Sequence, residues 1–447
     1  MPAGRRPGQI SDSNNKGGFV METEGTKTLR GKERIASLTE TFPELPTSIL
    51  LKTDVIRQGV RFTPVLPRIA RWALPQTHLI FEWDHEDRHG PTDVTEGWTT
   101  YPQTFCLPDG TTVMIMMDSE SPYEIRYLGD GQYALYCDDD LVSQIYFTAR
   151  PEWFTKRTKD GSLMCKVAGG NGECVFSVIN FNYCEYFTND EQCGYCTIVP
   201  TMERSKELGL ERLPATVLDR IIETFDTASE EGGIDHMCIS GGSFLDRKRE
   251  ADYYIQLIKA LRNADGYREG VPFLLAIQAL EEEDARRLYE AGEGSVYVSW
   301  AMETWEESLW PTVVPGKSKH VGRGKWVDLL CQAVGIYGRG DVATNFVAGV
   351  EMAPENGFRT EDEALESTLS GFEWLLQQDI RPVYSMWTVA PGSRYEDLKA
   401  PSTQYYVRLG KEWHALNQKY AMPEPRTGCY KCMCYTTYRD YQRLCEG

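Results

Sequence analysis

The sequence predicts an α/β protein: a partial (β/α)6, TIM-like barrel with an N-terminal β-rich or α+β region and a C-terminal Cys-rich extension. Three observations lead there. From Val175 onward, strand-like apolar runs alternate with amphipathic helical stretches, the pattern of βα units and a parallel sheet. Before that point the apolar periodicity is mostly two. Three cysteines, Cys184, Cys193 and Cys196, follow the apolar run at 175–181, where a buried strand gives way to a loop.

Composition sets the outer bounds. The 447 residues are 41% hydrophobic and 11% aromatic, enough for a sizeable core in more than one folding unit. Lys+Arg 47 against Asp+Glu 66 gives a net charge of −19. Such a surface repels phosphate backbones and anionic leaflets, so neither nucleic acid nor a membrane is an expected partner. No apolar run reaches the roughly 18 residues of a membrane helix. The thirteen cysteines are odd in number and grouped, and no secretory signal opens the chain, so the expected setting is cytoplasmic.

Residues 1–35 are polar and small and are expected to form a disordered tail. Residues 36–170 form the β-rich region, with strand-like runs at His78–Trp83, Thr111–Met117, Tyr133–Cys137 and Leu141–Thr148, and turn chemistry at 108–110, 129–131 and 159–161. The cluster Asp84–His89 reads as a solvated charged loop or as metal ligands, and it lacks the D-x-H-x-x-G spacing of cobalamin-binding domains. Residues 171–420 form the barrel. Its later strands are expected at His236–Ser240, Phe273–Ile277, Ser295–Ala301, Asp341–Val350 and Pro382–Val389, with Gln404–Tyr420 as the last helix. Strand-to-helix junctions of a parallel sheet share one side, so the thiol loop, Gly241-Gly242, Glu303 and Glu351 are expected to converge on one rim. Residues 421–447 are the extension.

Cys184, Cys193 and Cys196, at C-x8-C-x2-C spacing, suit an iron–sulfur cluster, zinc, or a set of buried unliganded thiols. Three thiolates leave one coordination position open, unless Cys174, Cys165 or a distant cysteine closes it. Lys317, Lys319 and Arg323 lie in a basic, glycine-containing loop that reads as a partner for a ligand carboxylate or anionic substrate, or as solvent-facing.

The thiol loop at the end of a first strand, followed by six βα repeats, resembles the radical S-adenosylmethionine superfamily. That family commonly uses C-x3-C-x2-C with an aromatic residue before the last cysteine. This chain matches in Cys193-x2-Cys196 and Tyr195, and departs in a first gap of eight residues. The resemblance covers about Val175–Tyr420. It implies that Cys184, Cys193 and Cys196 ligate a [4Fe–4S] cluster whose open iron binds S-adenosylmethionine. The implied activity is reductive cleavage to a 5′-deoxyadenosyl radical that modifies a small-molecule or peptide substrate, with an external donor such as flavodoxin or ferredoxin. Gly241 and Gly242 look like the glycine motif at the methionine amino group, with Ser243 in place of an acidic residue. Glu303 looks like the fourth-strand ribose or methionine contact, and Val347–Gly349 like the adenine-contacting strand. In that family a C-terminal group such as Cys429, Cys432, Cys434 and Cys445 often holds an auxiliary cluster, and zinc suits it as well. The reaction class stays open among oxidoreductase, lyase and transferase. Competing readings are a zinc-stabilised binding protein, a zinc hydrolase, and an enzyme that cleaves another C–S bond to transfer an aminocarboxypropyl group. The enlarged loop Glu185–Gln192 is expected to shield the cluster or border the substrate. Shortening it to three residues is expected to keep some iron but impair turnover, and iron content with 5′-deoxyadenosine yield measures both.

Overall fold

The computed structural model describes residues 29–62, 94–95, 98–99, 104–116, 118, 120–148, 151–170, 174–179, 183–207 and 218–445. The expected strand His78–Trp83 and the cluster Asp84–His89 lie outside the described residues.

Six strands form the central sheet: β1 (Val175–Ile179), β2 (His236–Ser240), β3 (Phe273–Ile277), β4 (Val296–Trp300), β5 (Val342–Ala348) and β6 (Arg381–Met386). They pair in chain order, and every neighbouring pair is parallel. The intervening helices are α1 (Leu218–Glu231), α2 (Arg247–Arg262), α3 (Glu282–Ala291), α4 (Arg323–Tyr337) and α5 (Glu361–Gln377), with α6 (Thr403–Lys419) after β6. This is the half-barrel that the sequence pattern predicts. Short polar side chains start several of the helices: Asp246 caps α2, Ser402 caps α6, and Thr360 forms a capping box with Glu363 on α5. Each satisfies backbone N–H groups that an uncapped first turn leaves without partners.

Alternation along the strands separates two environments. Ile239, Leu275, Val298 and Phe346 are buried on the face that packs against the helices, where Ile221, Leu257 and Leu288 are also fully buried. Burial of each such side chain contributes about 1.5–3 kcal/mol, which fixes the register, because a one-residue slip would turn every apolar residue inward.

In front of the barrel, helices Gly31–Thr41 and Thr47–Gln58 pack with a sheet of Arg61–Phe62, Tyr123–Gly129, Gln132–Cys137 and Asp140–Ile145. Residues 31–35, expected in a disordered tail, are the first turn of the first helix; Ile35 packs into the core, which composition alone did not reveal. The strand expected at Thr111–Met117 is shorter, Thr112–Met114, and pairs with Thr104–Cys106.

Asp54 ties these parts together. It accepts hydrogen bonds from Arg34 at 2.5 and 2.8 Å, from the Tyr123 hydroxyl at 2.5 Å and from the Thr403 hydroxyl at 2.5 Å, so one carboxylate joins two N-terminal elements to α6. Lys52, two residues earlier on the same helix, donates to Asp440 at 2.6 Å on the C-terminal helix Tyr438–Cys445, and both side chains are fully buried. Removing one member of a buried pair strands the other charge. Lys52→Met is therefore expected to cost about 3–5 kcal/mol in urea unfolding, and adding Asp440→Leu to recover much of it.

Candidate functional site

The inward face of the barrel is small or polar at several strand positions, beside bulkier Leu274, Tyr297, Val347 and Val383, where a filled barrel carries bulky branched residues throughout. Ser177, Cys238, Ser240, Ala276, Ser299 and Asn345 face a lumen of about 370 Å³ that runs along the strands. This is room for a ligand of ordinary cofactor size. Cys184, Cys193, Cys196, Tyr195, Gly241, Gly242, Glu303 and Val347 line it toward the carboxyl ends of the strands, so these expected site residues do come together.

The thiol loop is held there by backbone contacts. Glu185 N–H donates to Ser243 O at 2.9 Å, and Leu245 N–H donates to the Glu185 carboxylate at 2.7 Å, so the loop is stitched to the turn after β2. A Cβ on Gly242 would overlap the Tyr183 carbonyl and the Cys184 Cα. Gly242 thus admits the thiol loop itself, a role the sequence did not reveal beside its expected ligand contact. Tyr186 of the enlarged loop is buried, lines the lumen, stacks on His320 at 5.7 Å and donates to Gln278 at 3.4 Å. Glu191 pairs with Lys319 and, at 2.6 Å, with His320; Asp190 pairs with Arg394 at 2.5 Å.

Burial pushes the Cys184 and Cys196 thiols up and Cys193 up to about 12, with Lys317 opposing the rise at Cys193. Three part-buried thiols beside one ammonium ionise readily once further positive charge arrives, as a metal centre provides. Among the described residues only Cys174, Cys429 and Cys432 bring three ligand atoms within 4.8 Å of one another, so the mouth thiols are spread more widely. A single ion gathers its ligands closely, whereas a cluster distributes thiolates over separate irons. The three-thiol donor set fits a cluster.

Opposite the thiols, Glu303 pairs with Lys317 at 2.5 Å, both side chains nearly buried, and Lys317 also donates to Ala301 O at 2.7 Å. Burial opposes the charge on Lys317, but the Glu303 carboxylate and the neighbouring thiols outweigh it and hold the ammonium above its ordinary pKa. Glu303 has a left-handed backbone, φ +72°, fixed by Glu303 N–H to Asn345 O at 2.9 Å and Val347 N–H to Glu303 O at 3.0 Å. Such a conformation is costly for a residue with a Cβ and is kept where the surroundings impose it.

Other expectations are corrected. The basic loop is a helix, Pro315–His320; Lys319 is taken by Glu191, while Lys317 pairs with Glu303 on the lumen wall. Arg323 begins α4, donates to Trp305 O at 2.9 Å and lies over the Trp305 ring, away from the lumen lining. Gly349 also lies outside the lining; its φ of +97° makes the turn after β5, and Glu351 accepts its N–H at 2.9 Å. Glu351 is buried with Tyr405 and Thr368 and does not reach the rim, because its position favours capping that turn. Cys174 does not close the mouth set; it lies at the other end of β1 with Cys429 and Cys432. Cys434 and Cys445 stand outside that group.

No family model matches the chain, and no curated protein matches it. Solved structures similar to it include methylornithine synthase (PylB), at 14% identity over 56% of this chain and 69% of that one, with a TM-score of 0.37. The FeFe-hydrogenase maturase HydG from Carboxydothermus hydrogenoformans is 16% identical over 57% of this chain and 56% of that one, at 0.40. A further HydG maturase structure is 14% identical over 59% and 49%, at 0.35. The matched part spans about half the length of the HydG chains. No helix among the described residues is long and apolar enough to cross a membrane.

Glu250, which the sequence did not single out, shapes the turn after β2. Its buried Oε2 accepts from Phe244 N–H at 2.7 Å and from the Gln278 amide at 2.5 Å. Burial raises its pKa from 4.5 to about 7, against the pull of those donors and of Arg247 toward the charged form. The folded value lies above the unfolded one, so its contribution is full below pH 4.5 and is lost as the pH rises through about 7. Both bonds go to one oxygen, so an amide keeps them. Glu250→Gln is expected to flatten the fall in urea-unfolding stability between pH 5 and 8 by on the order of 3 kcal/mol.

Proposed function

We propose that this protein is a radical S-adenosylmethionine enzyme. Cys184, Cys193 and Cys196 hold its [4Fe–4S] cluster, and the barrel lumen receives S-adenosylmethionine and a small-molecule or peptide substrate. The observation that carries this reading is the set of three part-buried thiols, not all within 4.8 Å of one another, at the carboxyl-end mouth of a parallel six-stranded half-barrel around a hollow lumen. The bound cluster supplies one electron to a sulfonium C–S bond, and the products are methionine and a 5′-deoxyadenosyl radical.

The chain's own residues bind, orient and exclude water. Glu303 and Lys317 present a carboxylate and an ammonium 2.5 Å apart on the lumen wall. That pair is complementary to the zwitterion of an α-amino acid such as the methionine end of the cofactor, whose own charges can replace each partner in turn. Gly241 and Gly242 keep the turn after β2 free of side chains, so the main chain can approach a ligand. Asn345 and Val347 offer a polar group and an apolar surface from β5. Tyr186 and Tyr195, both buried, wall the thiols from solvent and so limit quenching of a radical by water or oxygen.

The test is anaerobic reconstitution of the full chain with iron and sulfide, followed by addition of S-adenosylmethionine and a low-potential reductant. Cluster-loaded protein is expected to release 5′-deoxyadenosine, and Cys193→Ala to release none above background. Cluster-loaded protein that yields no cleavage product would overturn the reading. An aminocarboxypropyl product would keep the cofactor but move the cleavage to a different C–S bond.

A further inference from the structure

From geometry at the opposite end of the barrel, we infer that Cys174, His236, Cys429 and Cys432 form a closed, four-ligand site for one zinc ion, which fastens the C-terminal extension to the barrel floor. Cys174 immediately precedes β1 and His236 opens β2, and these strands are adjacent with His236 in register with Val175. The other two ligands arrive on the extension, with Cys429 lying 255 residues from Cys174. Five strand residues at about 3.3 Å each put this group roughly 17 Å along the strands from the mouth thiols. It is therefore a separate centre, and it does not depend on the reaction proposed above.

The three sulfurs lie within 4.8 Å of one another, as a mononuclear site needs, and His236, which reaches Cys432 but stands outside that group, has to turn toward the ion as it enters. Zn–S of about 2.3 Å and Zn–N of about 2.0–2.1 Å give tetrahedral edges of about 3.8 Å between sulfurs and about 3.5 Å between sulfur and nitrogen. Cys429 and Cys432 sulfurs are 3.6 Å apart, and Cys432 Sγ lies 3.5 Å from His236 Nε2. Cys174 and Cys429 sulfurs are 2.8 Å apart, an edge an entering ion would open by about 1 Å. A cluster would need the three thiolates much further apart, on separate irons.

The chain builds around this group. Gly428 has φ +74° and gives its N–H to His236 Nε2 at 3.3 Å, which places the imidazole beside the turn carrying Cys429; an entering ion would replace that N–H on the nitrogen lone pair. Met433 N–H to Cys429 O at 3.0 Å closes the Cys429–Cys432 turn. Cys432 and His236 also line the lumen, so an ion held here would seal the end away from the mouth.

The test uses the full chain carrying Cys184→Ala, Cys193→Ala and Cys196→Ala together, so that any metal found belongs to the second site. The expected result is one zinc per chain, with X-ray absorption showing three sulfurs at about 2.3 Å and one nitrogen at about 2.0 Å. Cobalt in its place is expected to give the intense visible bands of a tetrahedral thiolate complex. Adding Cys432→Ser or His236→Asn is expected to lower zinc retention against a chelator at least tenfold, while Cys434→Ser and Cys445→Ser leave it unchanged. Iron and sulfide in place of zinc, a Cys174–Cys429 disulfide in non-reducing peptide maps, or protein free of metal would each overturn the inference. So would a shell of four sulfurs with no nitrogen.

Discussion

The site depends on one close approach between two stretches of backbone. The turn after β2 and the loop after β1 lie side by side because Gly242 has no Cβ, and Glu185 N–H bonds Ser243 O across the gap. That contact fixes where the chain stands at Cys184, and the loop then has to span the mouth before Cys193. Further glycines repeat the device: a Cβ on Gly194 would overlap the Tyr395 ring, and one on Gly316 would overlap the Tyr186 ring. The thiols are thus placed by main chain held on three sides, which is more rigid than placement by flexible side chains. The eight-residue gap is not slack, because the 3₁₀ turn Glu185–Asn189 and the pairs made by Asp190 and Glu191 take it up.

A half-barrel of six strands leaves two edges with unpaired backbone groups, and the flanking regions cover both. Gly169 and Ser177 exchange N–H···O bonds at 2.8 and 2.7 Å, capping the outer side of β1 with a piece of the N-terminal region. On the β6 side, Trp413 donates to Pro382 O at 2.8 Å, Arg381 donates to Pro423 O, and Tyr384 meets Thr437 at 3.2 Å. Edge protection therefore comes from α6 and the extension. The Lys52–Asp440 pair and the Asp54 hub bind those covers to the N-terminal helices, so the segments at the two ends of the described chain support one closed surface.

The architecture was legible in the sequence because its signal is local. β2 and β3 begin and end where the apolar runs do, and β4–β6 differ from expectation by a residue or a few at their ends. The mouth thiols and Gly241-Gly242 were legible for the same reason: they follow strands. What stayed hidden depends on distance along the chain. No spacing rule links Cys174 to Cys429 or His236 to Cys432, so the sequence grouped Cys429 and Cys432 with Cys434 and Cys445, which stand outside the observed group of three thiols. The pairing of Lys317 with Glu303, fourteen residues earlier on another element, was hidden in the same way. Glu250 was invisible because its importance comes from being buried beside one turn.

The lumen raises a last point of physical chemistry. Its strands carry Ser, Ala, Cys and Asn inward beside a few larger residues such as Leu274, Tyr297 and Val383, while the opposite face carries Ile, Leu, Val and Phe; the small inward side chains leave the centre open. An empty centre forgoes dispersion contacts that a packed barrel would have. Stability then has to come from the outer helical layer and from the covers at the edges and floor. The buried ionic groups concentrate at those covers and at the mouth, Asp54 and Asp440 at the first and Glu303 and Lys317 at the second. Those at the covers are held by fixed protein partners from distant segments, Asp54 by Arg34, Tyr123 and Thr403 and one oxygen of Asp440 by Lys52. The pair at the mouth faces a cavity, where a ligand bearing both charges can exchange with it at little net electrostatic cost, and that difference separates a structural charge from one available to a substrate.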